Sequence, residues 1–341
     1  MIDKEKLYDA YDRDGFYSLQ LEVGDKCNQG CIYCYMNALP DPINTIDDDM
    51  LLMILQDAQE LDISAIEWLG GEPLLRDNIL ELLDVANDLG FFNNMWTGGL
   101  PLTDEKIING LVENCKSGLI SVHLSSITPK VYEILHDGHQ HDLKMILDGV
   151  NRLIDAGYPT SRILNSVTFT GLQTAEDMIK TIDYFEEKFG IMTSLNVFHT
   201  YLRPGYLAED MERFIPGPKE VALVYKRMEK QAGNIDLPLN CVNKQYCSST
   251  VAVLCNGQVT PCATIRGGRK LSIHDGLGFR EIVSNNRDYL IFKELKDKNQ
   301  LNDGCCSCFM SDDCWGCRSR AYATGNGLLG RDPRCFRSKV G

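Results

Sequence analysis

Cys27, Cys31 and Cys34 stand at the spacing C-x3-C-x2-C, directly after a run, residues 17–23, whose side chains alternate as on a strand. Three thiolates on one short loop can hold three irons of a 4Fe-4S cube and leave the fourth iron without a protein ligand. Structural metals are closed off by four ligands, whereas an open position is where chemistry is done. A zinc knuckle is the alternative for such a loop. Zinc sites favour paired C-x2-C units with further ligands at a distance, and no second pair lies near this one.

One β/α unit further on comes the turn Gly70-Gly71-Glu72-Pro73. Glycines let a backbone approach a ligand closely, and a carboxylate accepts hydrogen bonds from an ammonium group. Together with Tyr33, one residue before the third cysteine, these residues resemble the radical S-adenosylmethionine (radical SAM) superfamily. The resemblance implies a 4Fe-4S cluster on Cys27, Cys31 and Cys34 whose open iron chelates the amino and carboxylate groups of SAM. It further implies reductive cleavage of SAM to a 5'-deoxyadenosyl radical. Tyr33 would lie near the adenine, and Gly70, Gly71, Glu72 and Pro73 beside the methionyl amino group. Ser125 and Asn165 are the implied polar contacts to the ribose and carboxylate of SAM. The family often shows an acid near Ser125, where this chain offers only hydroxyls. No acid–base catalytic residue is assigned, since the radical arises at the cluster. Arg203 is a candidate partner for a carboxylate of SAM or substrate, or a surface arginine.

Ten of the 14 cysteines fall after residue 240, and this segment resembles the SPASM extension of radical SAM proteins. Cys247, Gly257 and Cys262 meet one part of that pattern; Cys305, Cys308 and Cys314 meet its C-x2-C-x5-C, with Cys335 as the distant last cysteine. The spacing of Cys241, Cys247 and Cys262 is also similar to that of the anaerobic sulfatase-maturating enzymes. The resemblance implies one auxiliary 4Fe-4S cluster on Cys241, Cys247, Cys262 and Cys317, and a second on Cys305, Cys308, Cys314 and Cys335. Four thiolates per cluster leave no open iron, which suits electron transfer or structural support. Cys314 and Cys317 are separated by two residues where the family commonly has three. A pair of zinc sites is the competing reading of these spacings. Cys115 reads as a small buried apolar residue; Cys255 and Cys306 are inert spares, alternative ligands or hydrogen-atom donors.

A chain of 341 residues, 44% hydrophobic, can bury a large core. A formal net charge of −14 with no basic block repels a phosphate backbone, so nucleic acid is not an expected partner. No apolar stretch spans a bilayer, and the charged start is unlike a secretory signal, which places the protein in the cytoplasm and away from membranes. In a reducing compartment, many cysteines point to metal or redox chemistry rather than disulfides.

The elements that must position these residues alternate. Strand-like runs at 17–23, 65–69, 91–96, 119–124, 162–170 and 193–199 are separated by helical periodicity at 45–60, 78–89, 103–112, 143–156 and 174–189. Alternation of this kind is α/β with parallel strands. The resemblance turns it into a partial (β/α)6 radical SAM barrel, residues 1–215, followed by a helical linker, 216–239, and a small cysteine-rich SPASM domain, 240–341. The histidine-rich stretch 136–141 reads as a solvated loop rather than a metal site.

The resemblance implies a radical SAM oxidoreductase that abstracts a substrate hydrogen atom. Two auxiliary clusters favour loss of an electron from the substrate radical, hence oxidative modification of a peptide or protein side chain. Ala263 stands where the sulfatase-maturating enzymes carry an acid, which argues against that particular task. About sixteen residues before the first strand are too few for a folded leader-binding module, by the scaling of domain size. Decarboxylation or dehydrogenation of a small molecule or cofactor precursor, a tetrapyrrole or sugar, is the alternative enzyme reading; a zinc or iron-sulfur interaction module is the non-enzyme one. Flavodoxin or ferredoxin is the implied reductant.

Overall fold

The computed structural model describes residues 2–337 apart from positions 138, 140, 200–204, 206, 240–241 and 302–303, so Cys241 and Arg203 lie outside the described residues. Six strands, β1 (Ser18–Glu22), β2 (Ala65–Leu69), β3 (Phe92–Thr97), β4 (Ile120–His123), β5 (Ile163–Phe169) and β6 (Met192–Val197), pair in parallel, each with the next. Two further strands, β7 (Thr250–Val253) and β8 (Val259–Thr260), extend the sheet beyond β1, in the order β6-β5-β4-β3-β2-β1-β7-β8. β7 runs parallel to β1 and β8 antiparallel to β7. The α/β architecture with its parallel sheet is the one the alternation predicts, and the strands fall within about two residues of their expected bounds, as propensity arguments allow.

Helices α1 (Lys4–Asp12), α2 (Asp48–Glu60), α3 (Ile79–Asp88), α4 (Glu105–Asn114), α5 (Pro129–Leu135), α6 (Asp142–Asp155) and α7 (Ala175–Phe189) are set by local chemistry as much as by periodicity. Asp47 caps α2 by accepting from the Met50 amide at 2.8 Å, and two acids follow in the first turn, where the helix dipole favours them. Thr174 caps α7, which ends at Gly190 in the left-handed region (φ 66°). One face of the sheet packs on these helices: Leu19, Leu21, Ile66 and Trp68 meet Leu51, Ile54, Leu82 and Leu83 in the main core.

The opposite face is polar, unlike the apolar runs usual in buried parallel sheets. Register aligns Gln20 with Glu67 and Asn94, Trp96 with Ser121, and His123 with Ser166. A buried carboxylate there must be fully hydrogen-bonded. Glu67 accepts from Asn94 Nδ2 (3.1 Å), Trp96 Nε1 (2.6 Å), Ser18 Oγ (3.4 Å) and the Tyr246 hydroxyl, the last reaching in from the C-terminal third of the chain. α1 closes the amino-terminal end of the sheet, where Leu7 and Ala10 pack with Tyr17, Ala65 and Tyr246.

Helix Pro218–Gln231 covers β6 and α7 through Val221, Val224 and Tyr225. A buried ion pair ties the cysteine-rich segment to that corner. Arg320 pairs with Asp332 through Nη2 at 2.6 Å and donates to the carbonyls of Val197 (2.7 Å) and Leu239 (3.1 Å). Asp332 also accepts from the amides of Cys317 (2.7 Å) and Arg334 (2.9 Å). Asp332→Ala leaves a buried guanidinium without its anion, and a loss of about 3–5 kcal/mol is expected in urea unfolding.

Candidate functional site

The cysteine loop, the glycine turn and the polar strand ends converge at the carboxyl edge of the sheet, where parallel β/α proteins hold their ligands. The chain just before Cys27 and the turn after β2 are zipped together: Gly71 N donates to Gly24 O (2.9 Å) and Glu72 N to Lys26 O (2.7 Å). A Cβ on Gly71 would fall 2.2 Å from Lys26 O and one on Gly70 would fall 2.5 Å from Gly24 O, so no other residue fits at either position. The turn therefore fixes Glu72 beside the cysteine loop. Its carboxylate is buried and accepts from Leu74 N (3.1 Å), Thr97 Oγ1 (2.8 Å) and Gly98 N (2.6 Å). Burial outweighs these bonds and raises its pKa to about 7.

The three thiols lie within electrostatic reach of one another. Burial, then the charges of Cys27 and Cys34, push Cys31 well above the ordinary thiol range. Burial and Glu72 raise Cys27 to about 12. Thiols so placed give up their protons when a metal cation replaces them. Gln29, inside the loop, anchors it to two strand ends: Nε2 donates to Gly98 O (3.1 Å) and His123 O (3.3 Å), and Oε1 accepts from Cys31 Sγ (3.5 Å). Tyr33 is buried, and its hydroxyl bridges His123 Nε2 (2.8 Å) and Ser125 Oγ (3.1 Å). Ser125 Oγ also accepts from Thr168 N at 3.0 Å. Burial lowers His123 to about 4, so its ring is neutral at physiological pH. Asn165 aligns with Val122 on β4 and Thr193 on β6, while Ser166 aligns with His123. Both polar atoms of the Asn165 amide are buried without a hydrogen-bond partner among the described residues.

The expectation of a solvated histidine loop is corrected at His136. It is fully buried and stacked on Tyr132 at 3.9 Å between ring centres, with Nδ1 against Tyr132 O. The apolar wall beside the cysteine loop draws it in, while His139 stays partly exposed and pairs with Asp142 at 3.0 Å.

A second site feature was not legible in the sequence. Glu22, at the end of β1, is fully buried and accepts from the Tyr35 hydroxyl (3.0 Å), the Cys255 amide (3.1 Å) and the Arg266 guanidinium. Arg266 also lies over the Tyr35 ring at 5.1 Å. Tyr35 follows Cys34, and Arg266 comes shortly after Cys262, so one carboxylate joins the two cysteine regions; no local pattern marks it.

Among the described C-terminal cysteines two sets of neighbours stand out. Cys305 lies within electrostatic reach of Cys335, Cys314 and Cys308. Cys262 lies likewise near Cys317, and Cys247, Cys262 and Cys305 line the apolar cluster around Trp315. Backbone amides aim at these sulfurs: Leu239 N (3.1 Å) and Gly316 N (3.2 Å) at Cys314, and Met310 N (3.5 Å) at Cys308. Such donors favour a thiolate. Among the described residues no three His, Cys, Asp or Glu side chains converge tightly enough for a single metal ion. A four-iron cube sets its thiolates further apart than one ion does. Cys115 is in the main core, Cys255 is buried, and Cys306 is exposed.

The family model described as the Radical SAM superfamily matches residues 21–185. Over those residues the chain carries a radical SAM domain. The family implies a 4Fe-4S cluster and SAM, and the half-buried thiol triad beside a buried carboxylate is a donor set that fits them. A probable GTP 3',8-cyclase of Methanosarcina mazei is 22% identical over 81% of this chain and 83% of its own. The GTP 3',8-cyclase of Lactiplantibacillus plantarum is 34% identical, over 23% of this chain and 24% of its own. In fold, the chain is similar to Streptococcus suis SuiB bound to precursor peptide SuiA, with TM-score 0.69 and 15% identity over 97% of this chain and 79% of that one. It is also similar to anSMEcpe with bound AdoMet and a peptide, with TM-score 0.71 and 17% identity over 93% of each chain. Among the described residues no helix is long and apolar enough to cross a membrane.

Two outcomes follow from the geometry. Gly71→Ala is expected to lower the melting temperature and the uptake of iron together, because the turn and the loop can no longer meet. Glu72 has a folded pKa raised from 4.5 to about 7, so the folded state binds the extra proton and its stability falls as pH rises from about 4.5 to 7. Denaturant melts across that range should show this slope flattened in Glu72→Gln.

Proposed function

We propose that this enzyme uses SAM to make a radical that oxidises a side chain of a bound peptide or protein. The group on Cys27, Cys31 and Cys34 would supply one electron to SAM and so release a 5'-deoxyadenosyl radical able to take hydrogen from a C–H bond. Glu72 would hold the ammonium of SAM: bringing a cation to a buried carboxylate restores its charge balance. Tyr33 and Ser125 would orient the nucleoside from one side, with His123 behind them, Gly70, Gly71 and Pro73 would shape the turn, and Asn165 is the remaining proposed contact. The auxiliary ligands would be Cys241, Cys247, Cys262 and Cys317 for one cluster and Cys305, Cys308, Cys314 and Cys335 for the other, giving three clusters in all. A flavodoxin or ferredoxin would be the electron source.

The observation that carries this reading is the grouping of Cys305 with Cys308, Cys314 and Cys335, a four-thiol set that would leave no iron open to substrate. A closed centre can accept an electron from a substrate radical but cannot ligate a substrate. The likeness to peptide-bound SuiB and anSMEcpe adds support.

The second reading is radical chemistry on a small molecule, favoured by the named GTP 3',8-cyclases among the relatives. Anaerobic incubation with SAM and dithionite, followed by mass spectrometry of GTP and of peptide fractions from the source cells, separates the two. A peptide lighter by two hydrogens supports the first reading, and loss of GTP to a cyclised product supports the second. The Cys27→Ala, Cys31→Ala, Cys34→Ala triple variant is expected to form no 5'-deoxyadenosine while keeping roughly two thirds of the iron, as three equal clusters require. Glu72→Ala should weaken SAM binding by about 1.5–3 kcal/mol in calorimetry, the loss of a charge-assisted hydrogen bond.

A further inference from the structure

Two guanidinium groups and one carboxylate are buried together behind the C-terminal cysteines. Arg318, Arg320 and Asp332 are each no more than 3% exposed. Asp332 is committed to Arg320, whose Nε and Nη2 lie at 2.9 Å from Oδ1 and 2.6 Å from Oδ2, and to the amides of Cys317 and Arg334. Arg318 donates through Nη1 to the carbonyls of Leu328 (2.7 Å) and Gly330 (2.8 Å) and through Nη2 to that of Trp315. Its Nε is buried without a partner, and no carboxylate pairs with it among the described residues. The carbonyls take hydrogens of Nη1 and Nη2 but do not offset the charge. Two cations against one anion leave one positive charge uncompensated in the interior, a strongly destabilising arrangement.

Several cysteines lie near that charge. Trp315, whose carbonyl accepts from Arg318 Nη2, sits in sequence between Cys314 and Cys317 and belongs to the apolar cluster against which Cys247, Cys262 and Cys305 pack. Besides Asp332, the groups whose negative form acts on Arg318 are Cys317, Cys305 and Cys314. The sequence carries the same bias: residues 318–337 hold five arginines and one aspartate in a chain of net charge −14. Arg318 is thus within electrostatic reach of members of both proposed ligand sets.

We propose that Arg318 is the buried counter-cation of the auxiliary iron-sulfur centres, stabilising their anionic thiolate-ligated form and making at least one of them easier to reduce. This rests on the auxiliary-cluster reading above. Four thiolates outweigh the positive charge of an iron-sulfide core, so a closed centre is an anion, and one-electron reduction by an external donor adds a further negative charge. A fixed guanidinium in a low-dielectric surround favours the more negative state. With protonated thiols the same guanidinium faces neutral groups, so the metal-free protein bears the full penalty of its charge.

The test uses the full chain, anaerobically reconstituted, as wild type, Arg318→Gln and Arg318→Lys. Each is measured for iron content, for cluster potentials by redox titration followed by electron paramagnetic resonance, and for melting temperature before and after chelation under reducing conditions. Arg318→Gln is expected to shift an auxiliary signal to lower potential and to narrow the gap in melting temperature between loaded and metal-free protein. Arg318→Lys, which keeps the charge, is expected to hold most of the wild-type potential; if the Gln variant does not load iron, a Lys variant with shifted potential overturns the proposal. Wild type holding about twelve irons, with unshifted potentials and equal loss of melting temperature in both forms of Arg318→Gln, overturns the counter-cation role alone. Wild type holding only about four irons overturns the auxiliary clusters themselves, and this role with them.

Discussion

The backbones of residues 24–26 and 70–72 lie against each other without space for a single side-chain carbon, and the site hangs from that contact. The cysteine loop leaves from one side of it and the Glu72 carboxylate from the other. Because both segments continue directly from neighbouring parallel strands, β1 and β2, the sheet register sets how far the thiols stand from the carboxylate. Gln29 then binds the far side of the loop to β3 and β4, so three strand ends hold a loop that has little regular structure of its own. Precise placement on rigid elements is what positioning a reactive cofactor demands.

The sheet's inner face shows how such a site is kept polar inside a large core. Glu67 and Glu22 are each ringed by donors, and in both cases donors come from beyond residue 240: Tyr246 to Glu67, Arg266 and the Cys255 amide to Glu22. The cysteine-rich region therefore completes the interior of the barrel rather than merely following it. Burial of a carboxylate without those donors would cost more than the packing around it returns.

The six β/α units and the N-terminal motifs were legible because their signals are local: alternation of period two, helical periodicity, caps such as Asp47 and Thr174, and cysteines a few residues apart. What was not legible depends on distant partners. β7 is a four-residue run, Thr250–Val253, that reads as strand only once β1 is beside it. α5 begins at Pro129 and is too short for periodicity to declare. His136 looked solvated because its neighbours in sequence are polar, yet its neighbours in space are Tyr132 and Tyr33. Glu22, Gln29 and Arg318 carry no motif at all; each acquires its role from groups that the fold delivers.

The pairing of β7 with β1 joins residue 18 to residue 250. During synthesis, β1 emerges before β7 and keeps one edge open until the segment around residue 250 has left the ribosome. An unpaired strand edge invites wrong partners, and contacts between remote parts of a chain form slowly. The exposed edge of β1 must therefore be shielded until β7 arrives, and production with added chaperones should favour native over aggregated material.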